Sequence, residues 1–128
     1  MIQFENPGNV APPFGKYSHG ALVDEGARWL YVSGQVGVQS DGTMAQGIDA
    51  QCEWAWKNLF GILESSRMGL ADVVKTTTYL VNSDHVSAFR QARDRVIGDH
   101  RPASTLVIVA ALASSEWLVE IELVAARA

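Results

Sequence analysis

Along the chain the spacing of apolar residues changes several times, and each change marks an element. Tyr17 to Val23 and Trp29 to Val36 are short runs rich in aromatic and β-branched residues, the pattern of strands. Asp24-Glu25-Gly26 between them supplies turn residues, so the two runs are expected to form a hairpin. Gly37 to Gly47, with Ser40-Asp41-Gly42 inside it, is expected to be a loop. Ile48, Cys52, Ala55, Leu59 and Ile62 then recur at spacings of four, three, four and three, which sets them on one face of a helix. Gly69 stands where a C-terminal cap glycine belongs. Val73 to Val81 is a β-branched run too short for a helix and predicts a strand. Ser83 or Asp84 can cap a second helix that turns Val86, Phe89, Ala92 and Val96 inward and stops near Gly98. Thr105 to Ala110 and Leu118 to Val124 predict the last two strands. The segment before Gly15 holds Pro7, Pro12 and Pro13 and is expected to be an extended arm.

The resulting order, ββαβαββ, predicts an α+β protein with a mixed sheet and both helices on one face. The other face of that sheet then needs a cover, and no element of the chain remains to provide it. A second copy of the chain is the simplest cover, so a homo-oligomer is expected. With 128 residues, 48% of them hydrophobic, the chain fits a single domain over residues 1–128. The net charge of −4 offers no general attraction for nucleic acid or for anionic membranes. The N-terminus lacks a basic start and a long apolar run, so a cytoplasmic location is expected.

Few residues offer chemistry. His19, His85 and His100 fall in separate elements with no metal-ligand spacing, so no metal site is expected. Cys52 is the only cysteine; it lies on an apolar helix face, where a thiol packs as a small hydrophobe. Trp54 and Trp56 are placed on other faces of the same helix, and the four tryptophans read as packing anchors. No glycine-rich phosphate-binding fingerprint occurs, so no nucleotide cofactor is expected. Val119-Glu120-Ile121-Glu122 puts two carboxylates on one sheet face. They mark either a solvated face or a carboxylate at a subunit boundary, where partial burial would raise its pKa and let it activate water.

Five segments together carry a resemblance: Gly15-Lys16-Tyr17-Ser18-His19-Gly20, Val32-Ser33-Gly34-Gln35, Val74-Lys75-Thr76-Thr77, Arg101-Pro102-Ala103-Ser104-Thr105 and Val119-Glu120-Ile121-Glu122. In order and spacing they resemble the reactive intermediate deaminase (Rid, YjgF-like) family over nearly the whole chain. The resemblance implies a chorismate-mutase-like fold and a homotrimer with small-molecule clefts between subunits. It also implies cofactor-independent hydrolysis of enamines and imines to 2-oxo acids and ammonia. By the same resemblance Glu120 matches the water-activating acid, Tyr17 a cleft tyrosine, Ser33 and Gly34 the cleft wall, and Leu106 a residue whose backbone binds ligand.

The departure from the family is Ser104, where deaminase-type members carry an arginine that clamps the substrate carboxylate. A serine offers one neutral donor in place of a planar cationic fork, a difference of about 2 to 5 kcal/mol for a desolvated pair. Arg101 is the nearest candidate to supply the charge instead, with Arg90, Arg93 and Arg95 on the second helix as others. The expected function is a hydrolase or deaminase for C=N or enamine compounds other than 2-aminoacrylate. The alternatives are a non-catalytic metabolite-binding or regulatory trimer and, behind it, a ribonuclease or translation inhibitor.

Overall fold

The computed structural model describes residues 1–128. Its strands are β1 (Ile2–Glu5), β2 (Gly20–Val23), β3 (Arg28–Val36), β4 (Val73–Leu80), β5 (Ala103–Ile108) and β6 (Val119–Arg127), with helices α1 (Ile48–Ser65) and α2 (Val86–Ile97). The main sheet has the order β3-β6-β4-β5; β4 and β5 run parallel across the α2 crossover, and β6 is antiparallel to both its neighbours. The sheet is mixed, as the element order predicts.

The N-terminal third departs from expectation. The arm contains a strand, β1, and it is β1 that pairs with β2, from Ile2↔Val23 to Glu5↔Gly20. The expected hairpin between β2 and β3 is therefore absent, and β3 pairs along its length with β6 instead. The first proline is Pro7, so residues 2–5 have every backbone N–H available for a ladder. Two nine-residue strands, β3 and β6, give each other more ladder than the four-residue β2 could.

Both helices cover one face. On α1 the buried residues are Gln51, Cys52, Ala55, Trp56, Leu59 and Leu63, a stripe rotated from the expected one toward Trp56 and Leu63. The cause is that α1 packs against α2 as well as against β3 and β6, so two flanks of the helix are covered; Ile48 and Ile62 stay half-buried at the edge. The helix ends four residues before Gly69. Arg67 takes the left-handed conformation (φ 57°), and the N–H groups of Arg67 and Met68 return to the carbonyls of Glu64 and Leu63 at 2.9 Å each, a Schellman cap with arginine in the usual glycine position. Gly69 instead precedes a short 3-10 turn, Leu70–Asp72.

Neither Ser83 nor Asp84 caps α2. Asn82 accepts from the Asp84 N–H at 2.9 Å and starts a 3-10 turn, Ser83–His85, that runs into the helix. On α2 the buried residues are Phe89, Ala92, Arg93 and Ile97, while Val86 and Val96 are half-buried. Gly98, at φ 54°, ends the helix as expected. The core of Cys52, Leu59, Leu63, Phe89, Ile121 and their neighbours lies between the helices and the sheet. No helix is long and apolar enough to cross a membrane.

The Gly37 to Gly47 loop is fixed from below. Val38 bridges to Met44, and Asp41 accepts from the Thr43 hydroxyl (2.7 Å) and backbone N–H (3.0 Å), which holds its carboxyl below the usual range. Buried Gln51 donates to the carbonyls of Ala45 and Glu116 and accepts from the Leu118 N–H at 2.9 Å. That side chain ties the loop to the approach to β6.

Candidate functional site

Strand parity decides which site residues can meet. In β4, Thr76, Thr78 and Leu80 are buried toward the helices, and Lys75, Thr77 and Tyr79 point the other way. Register carries that parity to the neighbours. Ser104 pairs with Thr76 and Leu106 with Thr78, so both lie on the helix side of the edge strand β5. Glu120 pairs with Tyr79 and Glu122 with Thr77, so the two carboxylates share the open face. The sequence-derived residues thus form two groups on opposite faces of the sheet.

The first group is built where the arm meets β5. Ser18 forms a parallel bridge to Ala103, and its N–H donates to the Pro102 carbonyl at 3.0 Å, which sets Tyr17 beside Ser104. Phe14, Tyr17, Arg90, Arg93, Ser104 and Leu106 line a cleft of about 160 Å³. The Tyr17 hydroxyl accepts from the Phe14 N–H at 3.1 Å, and the Ser104 hydroxyl accepts from Thr76 Oγ1 at 3.3 Å. Each hydroxyl keeps its own proton free to donate. Arg101 does not line this cleft; its Nη1 donates to the carbonyls of Gly98 (2.6 Å) and His100 (3.0 Å), where it secures the end of α2.

The second group is built around a β-bulge. Between Val32↔Leu123 and Gln35↔Ile121 the register shifts, so that Ser33 and Gly34 oppose the single residue Glu122. The bulge brings the Gly34 backbone against the Glu120 carboxylate. A Cβ at Gly34 would stand 1.9 Å from Glu120 Oε2, so only glycine leaves the carboxylate its place. Glu120, Glu122 and Tyr79 line a shallow depression with Val109 and the Ala111–Ala113 segment. Tyr79 donates to Glu122 Oε1 at 2.5 Å, and that bond, with lesser contributions from burial and from the charges of Glu122 and Glu120, raises the Tyr79 pKa. Glu122 is thus engaged and Glu120 makes no side-chain hydrogen bond within the chain. Tyr79 is a member of this site that the sequence reading missed, because its place beside Glu120 is set by the register of β4 against β6.

Two of the three histidines are occupied elsewhere, while Nδ1 of His85 is buried without a hydrogen-bond partner. His19 contacts the Ala11 carbonyl and His100 the Val73 carbonyl, both at 2.7 Å. Burial, with the Asp49 charge adding to it and Arg95 opposing it, pushes the Cys52 thiol up to about 12, so it is no nucleophile. No group of three or more His, Cys, Asp or Glu side chains is placed to hold a metal ion.

A small α+β domain with two helices on one face of a mixed sheet and a glycine-flanked glutamate on the other defines a recognisable class. The family model for endoribonuclease L-PSP matches residues 8–127. Human 2-iminobutanoate/2-iminopropanoate deaminase is 32% identical over 121 residues, 93% of this chain and 82% of the human protein. Protein HMF1 of Saccharomyces cerevisiae is 32% identical over 97 residues, 75% of this chain and 73% of its own. The crystal structure of YyfB, a conserved Rid-family protein of Yersinia pestis, superimposes with a TM-score of 0.85 at 33% identity and covers 97% of both chains. The chain belongs to the Rid (YjgF-like) family and has its chorismate-mutase-like fold.

Proposed function

We propose that this protein is a cytosolic, cofactor-independent hydrolase of enamine or imine metabolites, with Glu120 as the base that activates water. Water adds across C=N to give a carbinolamine, whose collapse expels ammonia and leaves a carbonyl compound. Glu120 takes a proton from the attacking water and returns it to the departing nitrogen. The observation that carries this reading is the gap at Gly34, which reserves space for a carboxylate that makes no side-chain hydrogen bond within the chain. The name of the human relative supports the same chemistry at the level of the family.

One chain holds the two halves of the site on opposite sides of the sheet, so the complete cleft requires a second copy. A homotrimer in which the open face of one subunit meets the Tyr17–Ser104 cleft of the next supplies it. The exposure of Trp29 (47%) and Tyr31 (75%) beside that face supports such a contact. Ser33 and Gly34 would wall the cleft, and Tyr17, Ser104 and Leu106 would hold substrate. Single-domain organisation over residues 1–128 belongs to the same proposal.

Ammonia release from freshly generated imines, with and without an α-carboxylate, tests it. Glu120→Gln is expected to lower turnover at least about a hundredfold while light scattering shows the same oligomer; retained activity removes Glu120 from the role. The serine at 104 favours a second reading, a trimer that binds a metabolite without turning it over, and tight binding with no ammonia from any substrate would select it. A ribonuclease draws support from the family description alone, since the histidines are dispersed and two of the three contact carbonyls.

A further inference from the structure

The helix side of the fold carries a groove that neither half of the proposed cleft uses. On α1, Asp49, Glu53, Trp56 and Phe60 recur at spacings of four, three and four, which sets them on one face. Together with Ala92, Arg95 and Val96 of α2 they line a groove of about 640 Å³, a size suited to a small molecule. Its apolar floor includes the rings of Trp56 and Phe60, whose centroids are 6.2 Å apart at 32°. The Trp56 Nε1 is buried and has no hydrogen-bond partner.

The charges on the rim are not equivalent. Lys57 pairs with Glu53 at 3.2 Å and lies 4.5 Å from the centroid of the Trp54 ring, so these two charges cancel. Asp49 and Arg95 enter no ion pair. Burial and then the Asp49 charge raise the Cys52 thiol, and Arg95 opposes them, so both free charges stand within electrostatic reach of the same sulfur, one from each helix. The groove therefore presents one free anion, one free cation and an apolar floor. Such a surface is complementary to a ligand with a zwitterionic head and an apolar body.

We propose that the groove between α1 and α2 binds a free α-amino acid with a large apolar side chain, its ammonium on Asp49, its carboxylate on Arg95 and its side chain on Trp56 and Phe60. The site is separate from both groups of residues assigned to imine hydrolysis and does not depend on that reading. A trimer formed through the open sheet face leaves the helix side uncovered, so the groove is accessible in the assembled protein.

Calorimetry with phenylalanine as probe tests the site, alongside N-acetylphenylalanine, which lacks the cation, and phenylalaninamide, which lacks the carboxylate. The wild type is expected to bind phenylalanine about tenfold or more tighter than either derivative, and alanine to bind more weakly for want of apolar contact. Asp49→Asn should bind phenylalanine and its N-acetyl form alike, and Arg95→Gln should bind phenylalanine and its amide alike. No binding of phenylalanine at millimolar concentration, equal binding of the three probes by the wild type, or an unchanged preference in either variant overturns the proposal. The indole N–H signal of Trp56, assigned by its loss in Trp56→Phe, locates the ligand in the wild type itself: it is expected to shift as phenylalanine is added, and an unmoved signal overturns the site. Glu120→Gln is expected to bind phenylalanine as the wild type does; lost binding there would put the ligand against β6 and overturn the groove as its place.

Discussion

At the scale of single residues, chemistry here is controlled by what surrounds a side chain. Gly34 matters for the space beside it. In Gly34→Ala the new methyl meets the movable end of Glu120 and no backbone, so the carboxylate is expected to swing away while the fold survives. The expected outcome is loss of imine turnover comparable to that of Glu120→Gln, with a thermal midpoint within a few degrees of the wild type. Cys52 shows the opposite control. The unfolded thiol ionises from its ordinary 9.0, but the folded one holds its proton to about 12. Raising the pH through that window therefore favours the unfolded chain, and stability should fall from about pH 9 upward. Denaturant melts at pH 8 and pH 10 check the sign, and Cys52→Ser should flatten the dependence. The same thiol should resist a thiol-reactive reagent at pH 8 until the protein is unfolded.

At the scale of elements, the join between the loop and β6 depends on one amide. Gln51 is 3% exposed and bonds the Ala45 and Glu116 carbonyls and the Leu118 N–H. Gln51→Ala leaves those backbone groups without their partner and is expected to cost about 2 to 4 kcal/mol, measured by urea denaturation. Gly37 permits the contact, since a Cβ there would lie 2.4 Å from the Gln51 Cα. Gly37→Ala should destabilise by a similar amount, because the clash is with backbone that cannot step aside. The rotated stripes of α1 and α2 belong to this scale as well. Periodicity located both helices, but which residues are fully buried was set by their neighbours: the helix–helix contact drew Trp56 inward, and the arm at Gly15 covers Arg93.

At the scale of the whole molecule, the proposal is a homotrimer that covers the open sheet face. Light scattering at micromolar concentration is expected to give three times the chain mass, and Tyr31→Asp, which sets a charge where exposure is 75%, is expected to shift the protein toward monomer and to abolish turnover with it. A wild-type monomer with full activity would contradict both the interface and the shared cleft. With Glu120 and Ser104 on opposite faces of the sheet, the proposed cleft needs two subunits, and on that proposal activity per chain should fall on dilution through the dissociation range.

The sequence by itself determined the two helices, the four strands of the main sheet, the carboxylates of β6 on one face and the family, because these depend on local spacing and on short motifs in order. The arm's strand was hidden, since four residues before the first proline carry too little pattern to announce a partner fifteen residues away. The pairing of β3 with β6, the bulge that seats Gly34 against Glu120 and the place of Tyr79 depend on register between distant segments, which no local window contains. The same holds for the arginines. Arg101 is adjacent to the motif in sequence but spends its donors on carbonyls, whereas Arg93 reaches the cleft because the crossover lays α2 over the edge of β5. Distance along the chain was a poor guide there, because packing decides which charges share a cavity.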